Sequence, residues 1–258
     1  MNQKKLYTLI SIALWLLIWL IAALLIDNKI FLPTPLSVLK AFINMAGTKE
    51  FYFTLLTSLR GILLGFLIGF IGGIITAALS YACKFCEIFF GTFMKIIKSI
   101  PVASFIILTL FWVSSKNLSI LISALIVLPI IYSSFLTALK GTDKKLLEFA
   151  KVYRLSCIKK VIHIYIPGSI NALIGSCQVA IGYAWKSGVA AEIIGLIRGT
   201  IGNELYKTKL YLASDQLFAW TITIILLSFI CEKIIVFLLN MLKPDRFKSK
   251  KKGMRDEA

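Results

Sequence analysis

Apolar residues in this chain come in long runs, not in the short alternations of a soluble fold. Six runs stand out, at 7–26, 54–82, 86–113, 118–138, 168–191 and 214–239. About 20 apolar residues in a helix are enough to cross a hydrocarbon core of about 30 Å. The pattern therefore predicts an all-α integral membrane protein with about six transmembrane helices. The first run follows Lys4 and Lys5, as a secretory signal would. It is longer than a signal core of about 7–15 residues, and Asp27-Asn28-Lys29 after it offers no small-residue cleavage site. It reads as a retained span.

The polar segments between the runs set the expected orientation. With the N-terminus inside, the segments 1–6, 83–85, 139–167 and 240–258 carry seventeen Lys/Arg, against seven in 27–53, 114–117 and 192–213. That bias places both termini and the 139–167 loop in the cytoplasm. The organisation expected is a first span with a short basic N-terminus (1–30), an extracytoplasmic segment (31–53), a core (54–240) and a basic cytoplasmic tail (241–258). In the extracytoplasmic segment, Pro33 and Pro35 hold the chain extended. Leu36, Leu39 and Ile43 then recur near helical spacing, and predict a short helix anchored on the outer membrane surface.

Composition narrows the function. The 258 residues are 59% hydrophobic, and the formal net charge is +17. The positive charge sits in loops and tails between apolar runs, which is a membrane pattern and argues against nucleic acid as a partner. The cysteines at 83, 86, 157, 177 and 231 form no disulfide framework, and Cys83–Cys86 with the lone His163 falls short of a four-ligand metal site. No GxxxxGK[ST], GxSxG or HExxH pattern occurs, so the chain is expected to hold no cofactor and to be no enzyme. It reads as a conduit driven or gated by something else.

Several spans carry residues that a simple anchor does not need. Gly61, Gly65, Gly69 and Gly73 repeat every four residues in the second run and form one stripe, which suits close packing of another helix. A core helix and a subunit seam both fit. Pro101 in the third run predicts a kink or break, and Lys95 and Lys98 lie just before it. These lysines fit snorkelling to the interface or a pathway between helices. The stretch Trp185-Lys186-Ser187-Gly188-Val189-Ala190-Ala191-Glu192 ends the fifth run, with Lys186 and Glu192 at the expected outer mouth. It fits an interfacial band or an outer gate, with its small residues open to a symmetry mate. Glu232 and Lys233 read as interfacial.

The most polar loop, Lys140–Pro167, has seven Lys/Arg opposed only by Asp143 and Glu148. A helix through Glu148 presents Phe149 and Tyr153 on one side, as an apolar knob for a protein groove or as a helix lying on lipid headgroups. Here Glu148-Phe149-Ala150, Arg154 and Ile166-Pro167 resemble the EAA loop of ABC importer permeases. Leu32-Pro33-Thr34-Pro35, Lys98-Ser99-Ile100-Pro101, and Ala184-Trp185 with Val189-Ala190-Ala191-Glu192 resemble the nitrate/sulfonate/taurine branch, in order over about residues 31–240. Two positions depart from the pattern. Phe149 replaces a usual alanine, and Arg154 replaces a usual glycine, a strained choice if that turn needs positive φ.

The resemblance implies the type I ABC importer permease (MetI-like) core in the cell membrane of a bacterium. It implies a second permease copy, a cytoplasmic ATPase subunit that carries the ATP and Mg, and an extracytoplasmic substrate-binding protein. Glu148, Phe149, Ala150, Tyr153, Arg154 and Pro167 then form the ATPase-coupling loop, and Lys98, Pro101, Lys186 and Glu192 are candidates for the pathway. Lys98 and Lys186 suit a sulfonate- or nitrate-like anion, while the branch also resembles carriers of thiamine-precursor pyrimidines. An ATP-independent transporter or channel is the alternative, but the inverted repeats or several buried charges it calls for are not evident.

Overall fold

The computed structural model describes residues 3–241; the expected basic tail lies, from 242 on, outside the described residues. Among them the regular structure is all helical: α1 (Gln3–Ile26), α2 (Pro35–Ala46), α3 (Lys49–Ala82), α4 (Lys84–Ser99), α5 (Val102–Thr109), α6 (Ser115–Lys140), α7 (Lys144–Val152), α8 (Cys157–Lys160), a π-helical turn (Val161–Tyr165), α9 (Ile166–Ile194), α10 (Ile201–Leu210) and α11 (Ser214–Met241). Five helices or helical stretches are long and apolar enough to cross a membrane, and α4 with α5 makes a sixth span bent by 103°.

The core is built on α3 and α6, which run parallel. A Cβ on Gly61 would meet Ser119 Oγ at 2.7 Å, one on Gly69 would meet the Ala124 carbonyl at 2.5 Å, and one on Gly73 would meet Ile131 Cβ at 2.8 Å. At Gly65 it would collide with the Ile120 carbonyl and reach Ser123 Cβ at 2.7 Å. Helices approach this closely only where glycine leaves out a side chain, and dispersion between them replaces the hydrophobic effect that lipid cannot supply. The glycine face is filled from within the chain, not left open as a seam. Helix α9 runs antiparallel to α6, tied to it by Ser123 Oγ donating to the Ala184 carbonyl (3.2 Å) and Ser134 Oγ to that of Ala172 (3.1 Å). Ile62, Phe66, Val127, Ile131, Ile181 and Trp185 fill the space between the three helices.

The apolar run 86–113, expected as one span with a kink, is two helices. Pro101 has no amide to continue α4, and it pushes Ile100 into extended backbone (φ −82°, ψ 128°). Helix α2 begins at Pro35, capped by Thr34 Oγ1, which accepts from the Ser37 amide at 3.3 Å. It does not only lie on a surface. Val38 and Ala41 are buried against α11 at Ala219, with Trp19 of α1 packed alongside, while Leu36, Leu39 and Ile43 remain exposed. Glu232, read as interfacial, accepts from Gln178 Nε2 at 3.1 Å and bridges α11 to α9.

Candidate functional site: a membrane cavity and a protruding loop

The loop projects from one end of the bundle. Asp143 caps α7 by accepting from the Lys145 amide at 2.9 Å. Ala150 is fully buried beneath α7, whereas Phe149 and Tyr153 are 55% and 64% exposed. Their ring centroids lie 4.3 Å apart, so one apolar knob stands clear of the bundle. Helix α7 ends in a Schellman turn: the Arg154 amide donates to the Lys151 carbonyl (3.0 Å) and the Leu155 amide to that of Ala150 (2.9 Å). That geometry requires left-handed backbone at Arg154, and its φ is +49°. The turn is thus of the kind glycine favours, and arginine holds it. After α8 the chain winds through the π-helical turn, where the Tyr165 and Tyr81 hydroxyls meet at 3.3 Å, before Pro167 enters the first turn of α9.

A cavity of about 600 Å³ lies between α4, the bend, α6 and α9. Lys98 and Ile100 wall one side, Pro129 and Ile130 a second, and Val179, Tyr183, Lys186 and Ser187 a third. Pro101 forms the corner that turns Ile100 and Val102 toward the cavity. Lys98 Nζ donates to Ser133 Oγ at 2.8 Å, and Lys186 Nζ stands 5.7 Å from the centre of the Tyr183 ring. Among the described residues, no acidic side chain lines this space. Two ammonium groups with no carboxylate among the described lining residues, in a largely apolar cavity of ligand size, give this space the chemistry to pair with a small anion. A second cavity of about 500 Å³ adjoins it on the loop side, between α4 and α6, and takes Lys95 and Lys98 on its wall. Both lysines therefore face cavities between helices.

Glu192 is elsewhere. Expected at an open outer mouth, it is 0% exposed and lines neither cavity. Its Oε2 accepts from Ser58 Oγ at 2.8 Å and from the Gly202 amide at 3.0 Å, while Ser58 Oγ accepts from the Ile201 amide at 2.8 Å. The carboxyl thus ties the start of α10 to α3 and α9. Its Oε1 has no partner among the described residues. Gly188 likewise is not open to a symmetry mate, because a Cβ there would meet Ile62 at 2.6 Å and Ser123 Oγ at 2.7 Å. Sequence reasoning passed over Ser133, Tyr183 and Pro129. Pro129 carried a visible signal, a proline inside the apolar run 118–138, but Ser133 and Tyr183 reach the cavity only through the packing of α4, α6 and α9.

Comparisons with known proteins bear on this arrangement. A family model described as the binding-protein-dependent transport system inner membrane component matches residues 61–248. The putative aliphatic sulfonates transport permease protein of Escherichia coli K12 is 28% identical over 185 residues, covering 71% of this chain and 70% of that one. Its namesake from Bacillus subtilis 168 is 23% identical over 211 residues (81% and 75%). The taurine transport system permease protein of Escherichia coli K12 is 22% identical over 220 residues (83% and 80%). Among solved structures, that of an amino acid ABC transporter with histidines superposes with a TM-score of 0.60 at 16% identity, over 78% of this chain and 97% of that one; the likeness is one of fold.

Proposed function

This chain belongs to the binding-protein-dependent transport inner membrane components, the permease subunits of ABC importers, and we propose that the solute it passes is a small organic anion of the sulfonate class. The observation that carries the substrate is the cavity, with Lys98 from α4 and Lys186 from α9 on different walls and no carboxylate among its described lining residues. A sulfonate head offers three acceptor oxygens to two ammonium groups, and Ile100, Val102 and Ile130 suit a short alkyl tail. The names of the relatives point to the same chemistry.

The rest of the assembly follows from membership and from the loop. An ATPase subunit and a substrate-binding protein are the partners such a permease works with, and ATP and Mg belong to the ATPase, not to this chain. In our reading the loop end is cytoplasmic, as the charge bias requires, and the Phe149–Tyr153 knob seats in a groove on the ATPase. A second copy of the chain completes the pathway. Closure of the ATPases on ATP draws on α7, and α6 and α9, which flank the loop and wall the cavity, turn the cavity from one side of the membrane to the other.

The test is uptake of a labelled alkylsulfonate by vesicles containing the reconstituted importer. Lys98→Gln and Lys186→Gln are each expected to reduce uptake by about tenfold, the order of a lost charge-assisted hydrogen bond, with assembly intact. Unchanged uptake in both variants would refute the anion reading.

A further inference from the structure

We propose that the cavity between α4 and α6 is a second anion-binding station, on the loop side of the first and sharing Lys98 with it; the proposal rests on the reading of the solute as an anion. Lys98 lines both cavities, so an anion leaving Lys186 toward the loop end stays beside an ammonium group. Lys95 is one turn back on α4 and faces the same space. Among the described residues no hydrogen bond or ion pair engages its ammonium group.

Among the described residues, the donors left free in this station are the two lysines. The hydroxyl protons around them are committed elsewhere: Thr92 to the Ile88 carbonyl (2.9 Å), Ser133 to that of Pro129 (2.7 Å), Thr137 to that of Ser133 (2.8 Å), and Tyr132 to Ser80 (3.1 Å). An anion here is held by the two ammonium charges and not by a shaped cradle of donors, so it is held loosely, as a release step requires.

Among the described residues the wall has one carboxylate, Glu87. Lys140 Nζ meets it at 2.8 Å and Lys84 Nζ at 3.6 Å, so it is neutralised in place. Lys140 is the last residue of α6, four residues before α7 begins at Lys144. The sign of the station's wall is thus set by an ion pair beside the coupling helix. With the pair intact, Lys95 and Lys98 dominate. With Lys140 drawn away, Glu87 keeps only the longer and more exposed pairing to Lys84, and its carboxylate weakens the hold on the occupant.

The experiment uses the full chain in lipid nanodiscs, with methanesulfonate as probe. Acetylation of each lysine is followed by mass spectrometry, with sodium chloride at matched ionic strength as the reference. Methanesulfonate is expected to slow the labelling of Lys95, in the wild type and in Lys186→Gln alike. Lys140→Gln should raise the concentration needed by up to about fivefold, the fold-change of a partly exposed ion pair, and adding Glu87→Gln should reverse that rise. Protection of Lys186 without Lys95 overturns the station and leaves the anion reading of the first cavity standing. Loss of Lys95 protection in Lys186→Gln, or equal protection by chloride, overturns the station as well. Protection of neither lysine overturns both readings.

Discussion

Arg154 shows how much a single dihedral angle can reveal. Its place in the loop motif belongs to glycine, and the backbone there has the left-handed φ that glycine adopts without cost. The Schellman hydrogen bonds ending α7 hold an arginine in that conformation at a penalty of about 1 kcal/mol. Arg154→Gly is therefore expected to slow amide hydrogen exchange at Leu155 and to raise the midpoint of thermal unfolding, with ATPase capture retained. Faster exchange there would mean that the guanidinium, not the turn, holds this segment. The turn was legible as a question, since the motif marks the position and the residue departs from it. Glu192 was legible only as a charge near the end of an apolar run, and that suggests a mouth. Its burial depends on α10 folding back over it, with Leu196 (φ +48°) and Gly199 (φ +73°) bending the connection. Nothing local to residues 185–192 announces that contact.

At the scale of elements, four-residue spacing of glycines told which face of α3 packs but not what packs there. The answer, α6 of the same chain, comes from the close approach of two parallel helices that are separated by the whole of α4 and α5 in sequence. Two classes of glycine follow, and substitution should separate them. Gly65→Val drives a side chain into the Ile120 carbonyl and Ser123, so overpacking of about 1–3 kcal/mol or more is expected. Gly175, on α9, has open space where a methyl group would stand, with nothing within 4 Å, so Gly175→Ala should leave the fold of the permease unchanged. Detergent-solubilised yield and thermal midpoint measure both; equal loss in the two variants would contradict the assignment of the α3 stripe to the core. The third span makes the same point in reverse. Hydropathy merges α4 and α5 because both are apolar, and only Lys98-Ser99-Ile100-Pro101 hints at the 103° bend that creates one wall of the cavity.

Across the whole molecule, the loop and the cavity are joined by continuous helix. Helix α6 carries Pro129 and Ile130 on the cavity wall and ends at Lys140, just before α7; α9 carries Tyr183 and Lys186 and starts from the π-helical turn that follows α8. A force on α7 therefore reaches two walls of the cavity without crossing a flexible segment longer than a few residues. The π-helical turn, braced by the Tyr81–Tyr165 contact, interrupts the regular helix just before α9, and such turns often mark places where a helix has to adjust. This arrangement makes the knob separable from the pathway. Phe149 is exposed and packs mainly on Tyr153, so Phe149→Asp should leave the bundle folded and Lys186 as accessible to amine labelling as in the wild type. In our reading the same substitution puts a charge into the ATPase groove, and capture of the ATPase by the tagged permease should fall by at least about tenfold, as for a buried aromatic anchor. Uptake should fall with it, while solute still protects Lys186. Full capture by the Phe149→Asp variant would mean that the ATPase docks on another surface, and the chain of force from α7 to the cavity would lose its first link.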